Sequence, residues 1–205
     1  MSTLLRIDSS ARVQGSHSRE LGDHFEKAWL ARHPADLVLR RDLAAEPIPQ
    51  ITAQTIAGFY TPADKMTEDG RAATALSDNL IAELQSSDVL LLTVPMYNFS
   101  IPAALKAWID QVVRIGQTFS YNGTSFAGLV TVKQAYVLCS YGAGGYLDAG
   151  PLSAFNLVEP YLKLLLGFVG ISQVQFFAAE ATTADDATVE AKMQQAKSAI
   201  DTALV

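Results

Sequence analysis

An α/β fold, with five parallel strands in one sheet and helices on both of its faces, is the class this sequence predicts. Three observations carry it. Short apolar runs alternate along the chain with amphipathic stretches of helical period. The central run, Val89 to Val94, has no polar alternation, as a strand covered on both faces requires. The alternation continues to the end of the chain without an internal repeat, a low-complexity segment or a linker, so residues 1–205 are expected to form a single domain.

Leu4 to Asp8 reads as the first strand, and the polar stretch Ser9 to Gly15 as the loop that leaves it. From Leu21 onward, Leu21, Phe25, Ala28 and Trp29 fall at i, i+4, i+7 and i+8, one face of a helix. Leu37 to Leu39 makes a second strand. Residues 43–67 contain Pro47, Pro49 and Pro62 and no clear period, which predicts an excursion with little regular structure. A helix over Glu68 to Gln85 returns the chain to the central strand.

Pro102 then suits a first helical turn, where its missing N–H would have no partner anyway, and Leu105, Trp108, Ile109 and Val112 form the apolar stripe that follows. Thr118 to Gly128 reads as a short strand–turn insertion around Asn122-Gly123. Ala135 to Cys139 is the fourth strand. Leu152 to Phe168 has helical character, and Pro160 predicts a break or bend within it. Val174 to Ala178 is the fifth strand, and Val189, Met193, Ala196, Ile200 and Leu204 line one side of a last helix. Five strands alternating with five helices imply right-handed crossovers and the doubly wound order 2-1-3-4-5.

Composition narrows the function. With 49% hydrophobic residues in a chain of 205, a large core can be buried. No apolar run reaches the roughly 18 residues of a transmembrane helix. Met1 to Arg6 lacks the basic-then-apolar layout of a signal peptide, so a cytoplasmic protein is expected, with no membrane partner. The single cysteine, Cys139, allows no internal disulfide and no cysteine-based metal cage. A net charge of −6 argues against broad contact with nucleic acid.

Each chemically interesting stretch directly follows a strand, at the rim where open α/β sheets bind ligands. After the first strand come Ser10, Gly15, Ser16, His17 and Ser18. A helix beginning at Ser16 or His17 offers unpaired N–H groups and the positive end of its dipole, which bind phosphate without lysine. On the bland reading Ser16 is only an N-cap. After the third strand come Pro95, Met96, Tyr97, Asn98 and Phe99, an aromatic and amide-rich turn suited to a flat heterocycle, unless its aromatics simply fold into the core. After the fourth come Ser140, Tyr141, Gly142, Ala143, Gly144, Gly145 and Tyr146. Glycines there let backbone approach a ligand closely, and Tyr141 or Tyr146 can cover a ring; a surface turn is the alternative. A Gly-x-Gly-x-x-Gly dinucleotide fingerprint is absent, since position 147 is leucine. Phosphate on the first loop and a ring between the other two add up to one flavin mononucleotide.

Pro95-Met96-Tyr97-Asn98-Phe99, Leu105-Lys106 with Trp108-Ile109-Asp110, and Gly116-x-Thr118-Phe119-x-Tyr121 resemble the FMN-dependent NADH:quinone and azo-compound reductases. The likeness runs from Asp8-Ser9-Ser10 through Ser16-x-Ser18 to Gly167-Phe168-x-Gly170-Ile171 and Ala199-Ile200, essentially the whole chain. It implies a flavodoxin-like homodimer holding FMN non-covalently near the subunit interface. The phosphate would map onto Ser10, Ser16, His17 and Ser18, and the isoalloxazine onto Met96 to Phe99 with Ser140 and the loop after it. That loop departs from the resemblance: Ser-Tyr-Gly-Ala-Gly-Gly replaces a shorter Ser-Arg-Gly-Gly-like stretch.

The resemblance further implies hydride transfer from NADH or NADPH through FMN to quinones or aromatic azo compounds, with ping-pong kinetics. The cofactor carries the chemistry, so no catalytic side chain and no metal are expected. Phe59, Tyr60, Phe119 and Tyr121 are candidates to wall the acceptor pocket, against the alternative of ordinary packing. Two other classes compete. An electron carrier would bind FMN without turning over small molecules, but it needs no enclosing 43–67 and 118–128 segments. A serine hydrolase needs Gly-x-Ser-x-Gly, which is absent, and a histidine away from the first helical region, whereas His17, His24 and His33 all lie there.

Overall fold

A computed structural model describes residues 1–204. In chain order the elements are β1 (Thr3–Asp8), α1 (His17–Arg32), β2 (Leu37–Asp42), α2 (Ala53–Phe59), α3 (Glu68–Gln85), β3 (Val89–Pro95) and α4 (Ala103–Val112). The hairpin β4 (Phe119–Tyr121) and β5 (Phe126–Gly128) follows, then β6 (Gln134–Ser140), α5 (Val158–Val169), β7 (Val174–Ala179) and α6 (Asp186–Ala203). The main sheet has the order β2-β1-β3-β6-β7 with every neighbouring pair parallel. With the antiparallel hairpin set aside, this is the expected 2-1-3-4-5 order, the flavodoxin-like arrangement.

The period-2 alternation of each strand feeds two cores. On one face Leu5, Ile7, Leu90, Leu92 and Val137 pack with Leu80, Leu84, Leu105, Trp108 and Leu162. On the other, Leu4, Leu91, Tyr136 and Leu138 meet Leu21, Phe25, Trp29, Met193 and Ile200 from α1 and α6. Burial of one such side chain contributes about 2 kcal/mol before the entropy of ordering it.

The helices begin and end where local chemistry dictates. Thr67 caps α3 by accepting from the Gly70 N–H at 3.1 Å, and Asp185 caps α6 by accepting from Thr188 N–H at 3.0 Å. Gly170, at φ 111°, ends α5 in the left-handed region. A Cβ on Gly128 would fall on the backbone of Val169 and Gly170, so the β4–β5 hairpin lies directly against the end of α5.

Three expectations change. The 43–67 excursion contains α2, whose start is fixed by a capping box in which Thr52 Oγ1 accepts from Thr55 N–H at 3.2 Å and Thr55 Oγ1 from Thr52 N–H at 3.2 Å. Threonine replaces the usual Glu or Gln there, and seven residues are too few to show a period. Second, Pro160 does not interrupt α5. It lies in the first turn, where its missing N–H costs nothing, and the break comes earlier, after the 3₁₀ turn Ser153–Phe155. Finally, β2 runs to Asp42 rather than Leu39, because parallel pairing with β1 carries it through Arg40 and Arg41.

Candidate functional site

The loop after β1 ends at Ser16, which takes the N-cap position of α1 but makes no side-chain cap bond. The amides of His17, Ser18 and Arg19 therefore have no protein acceptor among the described residues. Ser18 is fully buried, and its Oγ lies 3.3 Å from that of the nearly buried Ser16. His17 adds a buried Nδ1 without a partner among the described residues. Free amides, two inward hydroxyls and the positive end of a 16-residue helix make this an anion cradle.

Buried charge holds the cradle in place. The Arg19 guanidinium donates to the Ser10 carbonyl at 2.8 Å and to both Asp42 oxygens at 2.6 and 2.7 Å, fastening the loop to the end of β2. Those bonds hold the Asp42 carboxyl below its ordinary range. One strand inward, Asp8 accepts from Arg6 and, at 2.7 Å, from Thr93 Oγ1 of β3. Arg6 also pairs with Asp23 at 2.8 Å and Glu26 at 3.2 Å, and Glu26 pairs with Arg40. Burial is the largest influence on Glu26 and would raise its pKa, but the bonds from Arg40 and Arg6 together bring it below the ordinary value. Of these charged residues only Asp8 was singled out from sequence, within the Asp8-Ser9-Ser10 segment. The one visible signal was Arg6 and Asp8 inside an apolar strand.

After β3 the chain turns in two residues. Tyr97 N–H donates to Ser100 O at 2.9 Å and Ser100 N–H returns to Tyr97 O at 3.1 Å. Asn98 and Phe99 stand between them at φ 49° and 71°, as a type I′ turn demands. Asparagine tolerates this region, whereas a phenylalanine there costs roughly 1–2 kcal/mol. Tyr97, Asn98 and Phe99 are exposed, so the aromatics do not fold into the core. Phe99 instead leans on Phe155, with ring centres 5.5 Å apart. Beside the turn a groove of about 540 Å³ is lined by Tyr97, Asn98, Ile101, Lys106 and Tyr161.

The loop after β6 is fastened through its carbonyls. Tyr141 O accepts from Thr182 N–H at 3.1 Å, Gly142 O from Thr183 N–H at 3.1 Å, and Ala143 O from Ala181 N–H at 3.1 Å. The amides of Gly142, Ala143 and Gly144 make no protein hydrogen bond among the described residues. Tyr141 departs from expectation: the whole residue is buried, with its ring packed on Tyr146. A ligand ring cannot be covered by it.

The three loops converge. Tyr97 Oη accepts from Ala11 N–H at 3.2 Å and sits 3.4 Å from Ser10 Oγ, joining the first loop to the second. Met96 N–H donates to Ser140 O at 3.0 Å, joining the second to the third. The four aromatic candidates are divided. Phe59 lies under the Arg114 guanidinium, 4.8 Å from ring centre to Cζ, and Tyr60 is exposed. Phe119 and Tyr121 belong instead to a cluster with Phe126 and Phe168. Among the described residues no three His, Cys, Asp or Glu side chains are grouped to hold a metal, and no helix is long and apolar enough to cross a membrane. The rim can thus hold an anion at one end and a planar group with a polar edge at the other.

Comparison with known proteins gives one consistent result. A family model described as a flavodoxin-like fold matches residues 2–204. An FMN-dependent NADH:quinone oxidoreductase of Xanthobacter autotrophicus is 58% identical over 175 residues, 85% of this chain and 84% of its own. One from Hydrogenovibrio crunogenus is 40% identical over 204 residues, the full length of both. An azoreductase from Bacillus anthracis superposes with a TM-score of 0.90 at 23% identity, over 100% of this chain and 99% of its own. An FMN-dependent NADH-azoreductase from the same organism, solved in complex with FMN, gives 0.86 at 20% identity over 98% and 97%. Those two likenesses bear on the fold.

Proposed function

Because the chain belongs to the family of FMN-dependent NADH:quinone oxidoreductases, with a flavodoxin-like fold, we propose that it binds FMN non-covalently at this rim and reduces quinones with NADH. The residues present fit the cofactor. The unpaired amides of His17 to Arg19, with Ser10, Ser16 and Ser18, answer a phosphate. Pro95 to Phe99 offer a surface for the ring, and Ser140 with the free amides of Gly142, Ala143 and Gly144 offers donors for its carbonyl-bearing edge. The convergence of unpaired helix-start amides with the left-handed Asn98–Phe99 turn, bridged by Tyr97, carries this reading.

FMN, when bound, supplies the two-electron chemistry between a reduced nicotinamide and an acceptor. The chain's own part is binding and exclusion. Asn98 and Tyr97 orient the ring; the turn and the adjoining groove leave one mouth for donor and acceptor alike. NADH or NADPH must then leave before a quinone enters, which gives ping-pong kinetics. Aromatic azo compounds are a second acceptor class. Protons come from solvent; the Cys139 thiol, pushed up to about 12 by burial, is not their source. A homodimer would cover the exposed Phe99, Phe155, Leu157 and Leu164. Absorption spectroscopy with anaerobic NADH titration tests the whole: the flavin band should bleach at one NADH per FMN, and addition of a simple quinone should restore it. Colourless protein that takes up no FMN overturns it.

A further inference from the structure

Burying a hydroxyl costs free energy unless it is hydrogen-bonded, so a buried tyrosine where phenylalanine would pack needs a reason. Tyr141 is fully buried at the exit of β6, and its Oη donates to Glu159 Oε1 at 2.8 Å. Glu159 stands in the first turn of α5, where the helix dipole favours a carboxylate. Asn156 completes the knot: its Nδ2 donates to the same Oε1 at 3.4 Å, while its Oδ1 accepts from Val158 N–H at 3.2 Å. The hydroxyl thus ties the exit of β6 to the start of α5. The four residues directly beyond it, Gly142 to Gly145, are glycine and alanine, with no side chain able to hold a conformation.

We propose that Tyr141 is a positioning residue for the cofactor: through Glu159 it fixes the loop whose free Gly142, Ala143 and Gly144 amides hold the polar edge of FMN. This rests on the FMN reading given above. Amides held still bind the cofactor without first losing freedom, and they favour the negative charge the ring gains on two-electron reduction. The Tyr141–Glu159 pair therefore sets both affinity and reduction potential, from behind the loop and without touching the ligand.

The test uses full-length protein stripped of FMN and reconstituted. Tyr141→Phe keeps the ring and removes the bond; Glu159→Ala removes it from the other side; Glu159→Gln retains an acceptor. Tyr141→Phe and Glu159→Ala should each weaken FMN about tenfold, the scale of a hydrogen bond to a charged group. Each should also make the midpoint potential of the bound flavin more negative. The double variant should lose no more than either single one, and Glu159→Gln should stay close to the parent. Unchanged affinity and potential in Tyr141→Phe, or thermal stability lost with both preserved, overturns the inference and leaves FMN binding standing. If Tyr141→Phe fails to fold, the same readouts on Glu159→Ala decide. Parent protein that takes up no FMN fails the functional reading instead.

Discussion

Beneath the loop after β1, Arg6, Asp8, Arg19, Glu26 and Asp42 form connected ion pairs that are mostly shut away from water. Beneath the loop after β6 no ion pair is formed among the described residues: the supports are backbone carbonyls, the Tyr141 hydroxyl on Glu159, and Glu180, whose Oε1 accepts from Tyr146 N–H at 2.6 Å and Leu147 N–H at 3.0 Å. On the proposed function, the difference follows from what each end would hold. A buried charge has to meet its partner in a single geometry, so the first loop is set before any anion arrives. A glycine-rich loop has no side chains of its own to fix it, so it depends on its few fastenings, the Tyr141–Glu159 bond among them.

The contrast can be broken at its charged end first. Arg6→Ala leaves Asp8 and Glu26 short of a buried partner and should cost about 3 kcal/mol in urea unfolding. A loss within a few tenths would mean that the network carries no stability. Arg19→Ala should weaken FMN roughly 10–100-fold in a fluorescence titration, since it removes about 1.5–3 kcal/mol of charge-assisted bonding behind the loop proposed to hold the phosphate. Arg19→Lys should recover little of it, because a point charge cannot span Ser10 O and both Asp42 oxygens. Between the two ends, Asn98→Ala should destabilise the protein by about 1 kcal/mol and Asn98→Gly hardly at all, as the left-handed backbone there dictates.

The smallest effect is acid sensitivity. Asp42 has a folded pKa below its unfolded one, so its contribution is complete above about pH 4, near the unfolded carboxylate value. It disappears as the pH falls through the lower, folded value. Acid unfolding followed by circular dichroism should therefore be shallower in Asp42→Asn. An equal slope would place the acid response elsewhere in the network.

Periodicity made the sheet and most helices legible. Val89 to Val94 could only be a covered strand, and the stripes of α1, α4 and α6 lie on the faces the sequence placed them. The rim was legible in part, because Ser16, Asn98 and the glycines are residue types with local meaning: a cap, a left-handed position, an open backbone. Arg19 and Asp42 were not, since their role comes from a contact across 23 residues that no local pattern encodes. Tyr141 misled for the complementary reason. A tyrosine beside glycines suits a ligand cover, and only its burial against Glu159 reveals the other use. The short α2 escaped because seven residues give two turns and no periodic signal.

The contact of Gly128 with Val169 and Gly170 has a mechanical meaning. Where two backbones touch with no side chain between them, there are no rotamers to rearrange and no slack to absorb a shift. The hairpin and the tail of α5 are therefore geared together, and Phe126 and Phe168, 5.5 Å apart, travel as one unit. A methyl wedged into that seam would prise the whole flank outward rather than dent it locally.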